Sequence, residues 1–203
     1  MMAGNNWLAS RRSEVAVDRI LDAAGELFTK RPAASVGMHE IATAAGCSRA
    51  TLYRYFENRE ALYTAYVHRE AYGVHHEMLE RIRDVEDPRE KLIEGFLTSL
   101  QLVRSSPALQ SWFSAGDAPI GAEIAESSHV IKAMSAAFVE SLGPGDDPAT
   151  VDRKSRWLVR VLTSLLIFPG HDEADERSMV EEFLLPIVTP SPQSADEVGQ
   201  ATQ

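Results

Sequence analysis

The sequence predicts an all-α fold in two parts. Apolar residues recur at spacings of three, four and seven almost throughout, and no segment alternates apolar and polar residues as a half-buried strand would. Capping residues punctuate the pattern at short intervals. Its 203 residues are enough for a small domain joined to a larger one. The boundaries expected are 1–60, with 1–12 as a flexible arm, then 61–189, then a disordered tail over 190–203 that is rich in Ser, Pro, Gln and Asp.

Taken in order, about nine helices are expected. The first covers about 13–30 through Val17, Ile20, Leu21, Ala24, Leu27 and Phe28, and Arg31-Pro32 ends it. Short helices follow at about 38–45 and 49–56. Asn58 is placed to cap a long fourth helix carrying Leu62, Tyr66, Val67, Val74, Met78 and Ile82, expected to run to about Arg83. Asp87-Pro88-Arg89-Glu90 is a strong start, with a capping Asp, Pro at the first helical position and Glu in the first turn. Ser106-Pro107 opens a short helix that Gly116 closes. A single helix is expected over about 119–141, another from Asp147-Pro148 to about Phe168, and a last one over about 174–188.

Composition narrows the function. The chain holds one cysteine, so no intrachain disulfide forms, and a reducing, cytoplasmic setting follows. No apolar run reaches the roughly 20 residues that span a bilayer, so no membrane partner is expected. The net charge of −10 is unevenly spread. Residues 1–60 hold eight Lys/Arg against seven Asp/Glu, and the remainder holds twelve against twenty-three. A near-neutral head on an acidic body is compatible with a nucleic-acid partner, because local field and geometry outweigh total charge.

Residues 37–56 carry the informative motif. Ile41, Ala42 and Ala45 give a short helix an inward face, Gly46 is placed for the positive φ that ends it, and Cys47 packs in the turn. Ser48 caps the next helix, whose Leu52 and Phe56 form a buried stripe. Two short helices joined by a Gly-containing turn are a helix-turn-helix signature. The opposite face of the second helix presents Arg49, Ala50, Tyr53 and Arg54, with Thr51 and Tyr55 at its flanks. Arginine, hydroxyl-bearing and small side chains in this position suit base edges and phosphates, where an ordinary solvated helix would carry Glu, Lys and Gln.

Arg19-Ile20-Leu21-Asp22-Ala23-Ala24, Glu40-Ile41-Ala42, Ala45-Gly46-Cys47-Ser48, Thr51-Leu52-Tyr53-Arg54-Tyr55-Phe56 and Asn58-Arg59-Glu60-Ala61-Leu62 together resemble the TetR (tetracycline-repressor-like) family over about residues 14–67. The resemblance implies a homodimer that places its recognition helices in successive major grooves of a double-stranded, pseudo-palindromic operator. It places DNA contacts on Met38 and His39, on Ser48, Arg49, Ala50, Thr51, Tyr53, Arg54 and Tyr55, and on Arg59. Gly37 and Met38 depart from the Ser or Thr that many members carry there. Arg11 and Arg12 could reach phosphate or the minor groove from the arm. The resemblance also implies a repressor released by a small-molecule effector, with residues 61–189 as the ligand-binding and dimerisation domain.

Outside the motif, Phe96, Leu100, Trp112, Phe113, Met134, Phe138 and Trp157 are core candidates. Beside the small Ala115, Ala133, Ala136 and Ala137, they also suit the lining of an apolar effector cavity, with Arg104 or His75 meeting a polar end. Leu158, Leu162, Leu165 and Leu166, with Phe183 and Ile187, lie on helices apolar over more than one face, so one stripe is left for a second copy. His68, His75, His76 and Glu77 do not make a four-ligand structural zinc set, so no metal or cofactor is expected. No nucleophile elbow, metalloprotease helix, phosphate loop or dinucleotide fingerprint is present, and no enzyme is read here. Two alternatives stay open at this point, an interaction protein using the motif for protein contacts and a small helical enzyme.

Overall fold

The computed structural model describes residues 6–113 and 120–189, with side chains from residue 13 onward. Every regular element among the described residues is helical. In order they are α1 (Asn6–Phe28), a 3-10 turn (Ala33–Ser35), α2 (Met38–Ala44), α3 (Arg49–Tyr55), α4 (Arg59–Arg81), α5 (Pro88–Ser105) and α6 (Pro107–Gln110). Then come α7 (Ile120–Ser127), α8 (His129–Glu140), α9 (Pro148–Ile167), α10 (Glu173–Met179), a π turn (Val180–Leu184) and α11 (Leu185–Val188). The expected flexible arm is helical from Asn6, so α1 begins seven residues earlier than its apolar pattern suggested. Residues 1–5, residues 114–119 with Ala115 and Gly116, and the expected disordered tail lie outside the described residues.

The capping signals act as the sequence suggests. Asn58 Oδ1 accepts from the Ala61 amide at 2.7 Å, Asp87 Oδ1 from Arg89 at 3.2 Å, and Asp147 Oδ1 from Ala149 at 2.9 Å. The expected helix over 119–141 is two helices, because Ser128 Oγ accepts the Ile131 amide at 3.1 Å and restarts the chain as α8. The expected last helix passes through a π turn just before Pro186. Proline has no amide hydrogen to give to a carbonyl one turn back, so the regular ladder cannot continue there.

The chain forms two compact units, and their division differs from the expected boundary at residue 60. Among the described residues, the first holds 6–70 together with 106–113 and 120–121, and the second holds 71–105 and 122–189. The division falls inside α4, and the segment around α6 belongs to the first unit.

In the first unit Ile20, Leu21, Ala24, Phe28, Ile41, Leu52, Phe56 and Leu62 are buried. Phe28, Tyr63, Tyr66 and Trp112 form an aromatic box at its centre. Phe28 meets Tyr63, Tyr66 and Trp112 edge-on at centroid distances of 5.5, 4.9 and 5.0 Å. Trp112 stacks on Tyr66 at 5.8 Å. Such edge and offset geometries set the positive ring edge against the negative face. Arg69 ties α4 to α1 through Asp22 at 2.8 Å.

The second unit has an aliphatic core, with Leu92, Leu100, Leu142, Leu158, Leu165 and Leu184 around Phe96 and Phe138. There α9 packs against α8 and α5. Its chief polar tie joins Arg104 of α5 to Glu176 of α10, two bonds of 2.7 Å each. Arg104 also donates to the Leu165 carbonyl near the end of α9 at 2.8 Å, and the Gly170 amide donates to Glu176 at 2.9 Å.

Candidate nucleic-acid interface

Gly46 ends α2 with φ +64°, a conformation that costs an L side chain energy, and a Cβ there would sit 2.8 Å from the Arg19 guanidinium. Ser48 Oγ accepts the Thr51 amide at 3.0 Å and opens α3. Leu52 and Phe56 are buried, so α3 has one inward face, and the rest of its short surface is left for solvent.

That outer face is the one the sequence indicates. Arg49, Ala50, Tyr53 and Arg54 are exposed, and Thr51 and Tyr55 are half-buried at the flanks. Tyr53 is 43% exposed, a large aromatic left uncovered. Arg54 lies over the Tyr55 ring at 5.1 Å and donates to its hydroxyl at 3.3 Å, which orders both side chains. His39 is exposed on α2, and Ser48 is exposed with its hydroxyl 2.9 Å from that of Thr51. This face carries two cations and no carboxylate, and α3 is short enough to enter a major groove end-on.

Of the residues expected at DNA, Met38 is buried, at 8% exposed, and Arg59 half-buried. Arg59 donates to the Ala34 carbonyl and, at 3.3 Å, to the Ala33 carbonyl. Its guanidinium lies 4.8 Å over the Tyr63 ring. Glu40 accepts the Gly37 amide at 3.0 Å and Arg31 at 2.7 Å; those two bonds, the amide first, hold its carboxyl below the ordinary range.

The residues expected to line one effector cavity are divided between the two units. Trp112 and Phe113 belong to the first unit, and Trp112 is 3% exposed in the aromatic box, its indole N–H without a hydrogen-bond partner. Phe96, Leu100 and Phe138 are core residues of the second unit, Met134 is half-buried, and Trp157 is exposed. Phe138 presses so close to α5 that a Cβ on Gly95 would meet its ring at 2.8 Å. Beside this core lies a cleft of about 460 Å³, lined by Leu97, Thr98, Leu100, Gln101, Arg104, Glu176 and neighbours. Its Arg104, expected at the polar end of a ligand, is taken up by Glu176. His75 is half-buried, and burial, then His76, pushes its imidazole below the ordinary value.

The residues expected at a dimer interface divide likewise. Leu158 and Leu165 are buried core residues, continuing the inward stripe of Val151 and Ser155, and Leu162 and Leu166 pack against them. The outward stripe of α9 is Arg153, Trp157, Arg160 and Ser164, with Phe168 at its end. Phe183 and Ile187 are exposed, 66% and 51%. Among the described residues no cluster of His, Cys, Asp and Glu has the makings of a metal site, and no helix is long and apolar enough to cross a membrane.

A short helix pair with a glycine turn, an ordered cap and an uncovered cationic-aromatic face defines a helix-turn-helix DNA-binding regulator. Comparison with known proteins makes that class specific. Residues 20–66 match the model for bacterial regulatory proteins of the tetR family. Over 198 residues the chain is 59% identical to a protein of Mycobacterium tuberculosis named as an uncharacterized HTH-type transcriptional regulator, covering 98% of each. The chain belongs to the TetR family of transcriptional regulators. The fold is shared with the TetR family repressor AlkX of Dietzia sp. (TM-score 0.62, 22% identity, 84% of this chain and 93% of that one). It is also shared with RolR, solved with resorcinol (0.69, 16%, 94% and 96%). Thermus thermophilus FadR, solved with lauroyl-CoA, is a third such structure (0.58, 22%, 87% and 97%).

Proposed function

We propose that this regulator is a homodimeric repressor that leaves a pseudo-palindromic operator when a small, largely apolar effector binds. The exposed face of α3 carries the reading. Arg49 and Tyr53 lie one turn apart on it, so both meet the same stretch of groove, with Ala50, Thr51, Arg54 and Tyr55 around them and His39 and Ser48 at its edge. Trp157, Phe168, Phe183 and Ile187 supply the apolar surface for the second copy, since each is large, apolar and uncovered in the single chain. Two heads about 34 Å apart then match successive major grooves on one side of the duplex. The setting is the cytoplasm, where the operator lies.

The aliphatic core of the second unit supports a largely apolar effector, and the fold's relatives RolR and Thermus FadR were solved with resorcinol and with lauroyl-CoA. Helix α4 gives residues to both units, so its 23 residues, about 35 Å long, form an unbroken covalent route between them. An effector acts only through its preference for one state, which bounds the effect on DNA at typically 1–3 kcal/mol. The test is a mobility shift on the DNA upstream of the chain's own coding sequence across a salt series. A shifted band that weakens steeply with salt and is lost in the Arg49→Ala/Tyr53→Ala double variant supports the reading; a shift indifferent to both substitutions removes α3 as the reader.

A further inference from the structure

The connection between α1 and α2 turns its carbonyls toward α4, and two α4 side chains receive all three that matter. Arg59 donates to the carbonyls of Ala34 and Ala33. Tyr63, four residues on and therefore on the same face, places its hydroxyl 2.7 Å from the Val36 carbonyl and within bonding distance of Ala33. One hydroxyl proton serves one carbonyl at a time, and when Tyr63 turns to Val36 the Ala33 carbonyl keeps the Val36 amide at 3.1 Å and Arg59 at 3.3 Å. The Arg59 guanidinium rests on the Tyr63 ring, which orients both.

These carbonyls lie where water is scarce. Ala33 is 2% exposed and Val36 fully buried. The Ala33 carbonyl also accepts the Val36 amide at 3.1 Å, so the Val36 carbonyl is the one that depends on Tyr63, and a buried acceptor that loses its donor destabilises its segment. The residue after Val36 is Gly37, the N-cap of α2, and its amide is fixed by Glu40, itself held by Arg31. Polar contacts thus tie the chain from Arg31 to Glu40, and α2 carries α3.

We infer that Arg59 and Tyr63 are positioning residues that set how α2 and α3 are aimed, and that Arg59 is not a phosphate ligand. The inference rests on the reading of α3 as the DNA reader. The two roles differ in what DNA binding reports. A phosphate ligand contributes to every duplex alike, and its removal flattens the log–log salt dependence by about 0.9. A positioning residue contributes only where base edges are read, so its removal lowers specific binding and leaves non-specific binding and its salt slope alone.

The experiment uses the full chain, a duplex that the wild type enriches from a random library, and a scrambled duplex of equal length. Tyr63→Phe keeps the ring, the stacking and every charge. It is expected to weaken the enriched duplex by about three- to tenfold with the scrambled duplex and salt slope unchanged. Arg59→Lys keeps the charge but loses the planar fork, and is expected not to rescue. The inference is overturned if Arg59→Lys matches wild type while Arg59→Gln weakens both duplexes and flattens the slope. It is also overturned if the variants, kept folded as judged by circular dichroism, bind both duplexes as wild type does and only melt earlier. A wild type that enriches no sequence sinks the reading of α3 itself, a separate result, and this inference falls with it.

Discussion

The two units bury different kinds of side chain. The first centres on Phe28, Tyr63, Tyr66 and Trp112, three of which carry a polar handle, and it uses Arg59, Tyr63 and Arg31 to hold the main chain. The second centres on leucines and valines, and its main polar tie, Arg104 to Glu176, joins helices at the edge of the core. Aliphatic packing is non-directional and tolerates small shifts, whereas edge-on rings and hydrogen bonds to carbonyls fix angles. Under the proposed function, a unit that aims a helix at base edges calls for the second kind of contact, and a unit whose interior adapts to a ligand for the first.

The sharpest way to break this contrast is to remove Phe28, one of the two rings that touch the other three. Phe28→Ala should destabilise the protein by about 3–5 kcal/mol, read by chemical denaturation, with loss of operator binding. If the loss were no greater than for a single exposed methylene, the box would not organise the first unit.

Glu176→Gln tests the second unit. Arg104, then the Gly170 amide, holds the Glu176 carboxyl below its ordinary range against the opposing effect of burial. A depressed folded value means that this stabilisation is present above the unfolded carboxyl value and is lost as pH falls through the folded one. The substitution should cost about 1.5–3 kcal/mol at neutral pH. It should also make stability less dependent on pH below about 4.3, which thermal melts across an acid series would read. Equal acid sensitivity in variant and wild type would assign that sensitivity to other carboxylates.

A smaller effect belongs to Ser48→Ala, which removes the cap of α3 and should cost about 1 kcal/mol. The cost should appear in DNA binding as well as in the melt, because the frayed turn carries Arg49 and Ala50. The smallest concerns His75. Its lowered folded value means the unfolded chain takes up the proton first, so stability should decline as pH falls from about 6.5 and level off below the folded value. His75→Gln should remove that decline; an unchanged profile between pH 7 and 5 would count against it.

Local chemistry was readable in the sequence and long-range partnership was not. Gly46, Ser48, Leu52 and Phe56 each act within one turn of themselves, and the structure puts each in the role its type dictates. Ser128 was equally local but sat inside an unbroken apolar rhythm, which concealed the cap. Trp112 lies 84 residues from Phe28, and nothing near it says that it packs with the first unit. On α9 both apolar stripes fit the helical period. Only the neighbours decide that Leu158 and Leu165 turn inward while Trp157 and Phe168 stay outside. Arg59 shows the same limit, since its type suits phosphate and its surroundings supply carbonyls.

The outer face of α3 is proposed to read DNA sequence. The most direct test is quantitative binding of the wild-type chain and Arg49→Ala to the enriched duplex and to its single-base variants, at two salt concentrations. Arg49→Ala is expected to lose about 1–3 kcal/mol on the enriched duplex and to stop discriminating at one position in each half-site. Full discrimination at every position, with no loss of affinity, would contradict it.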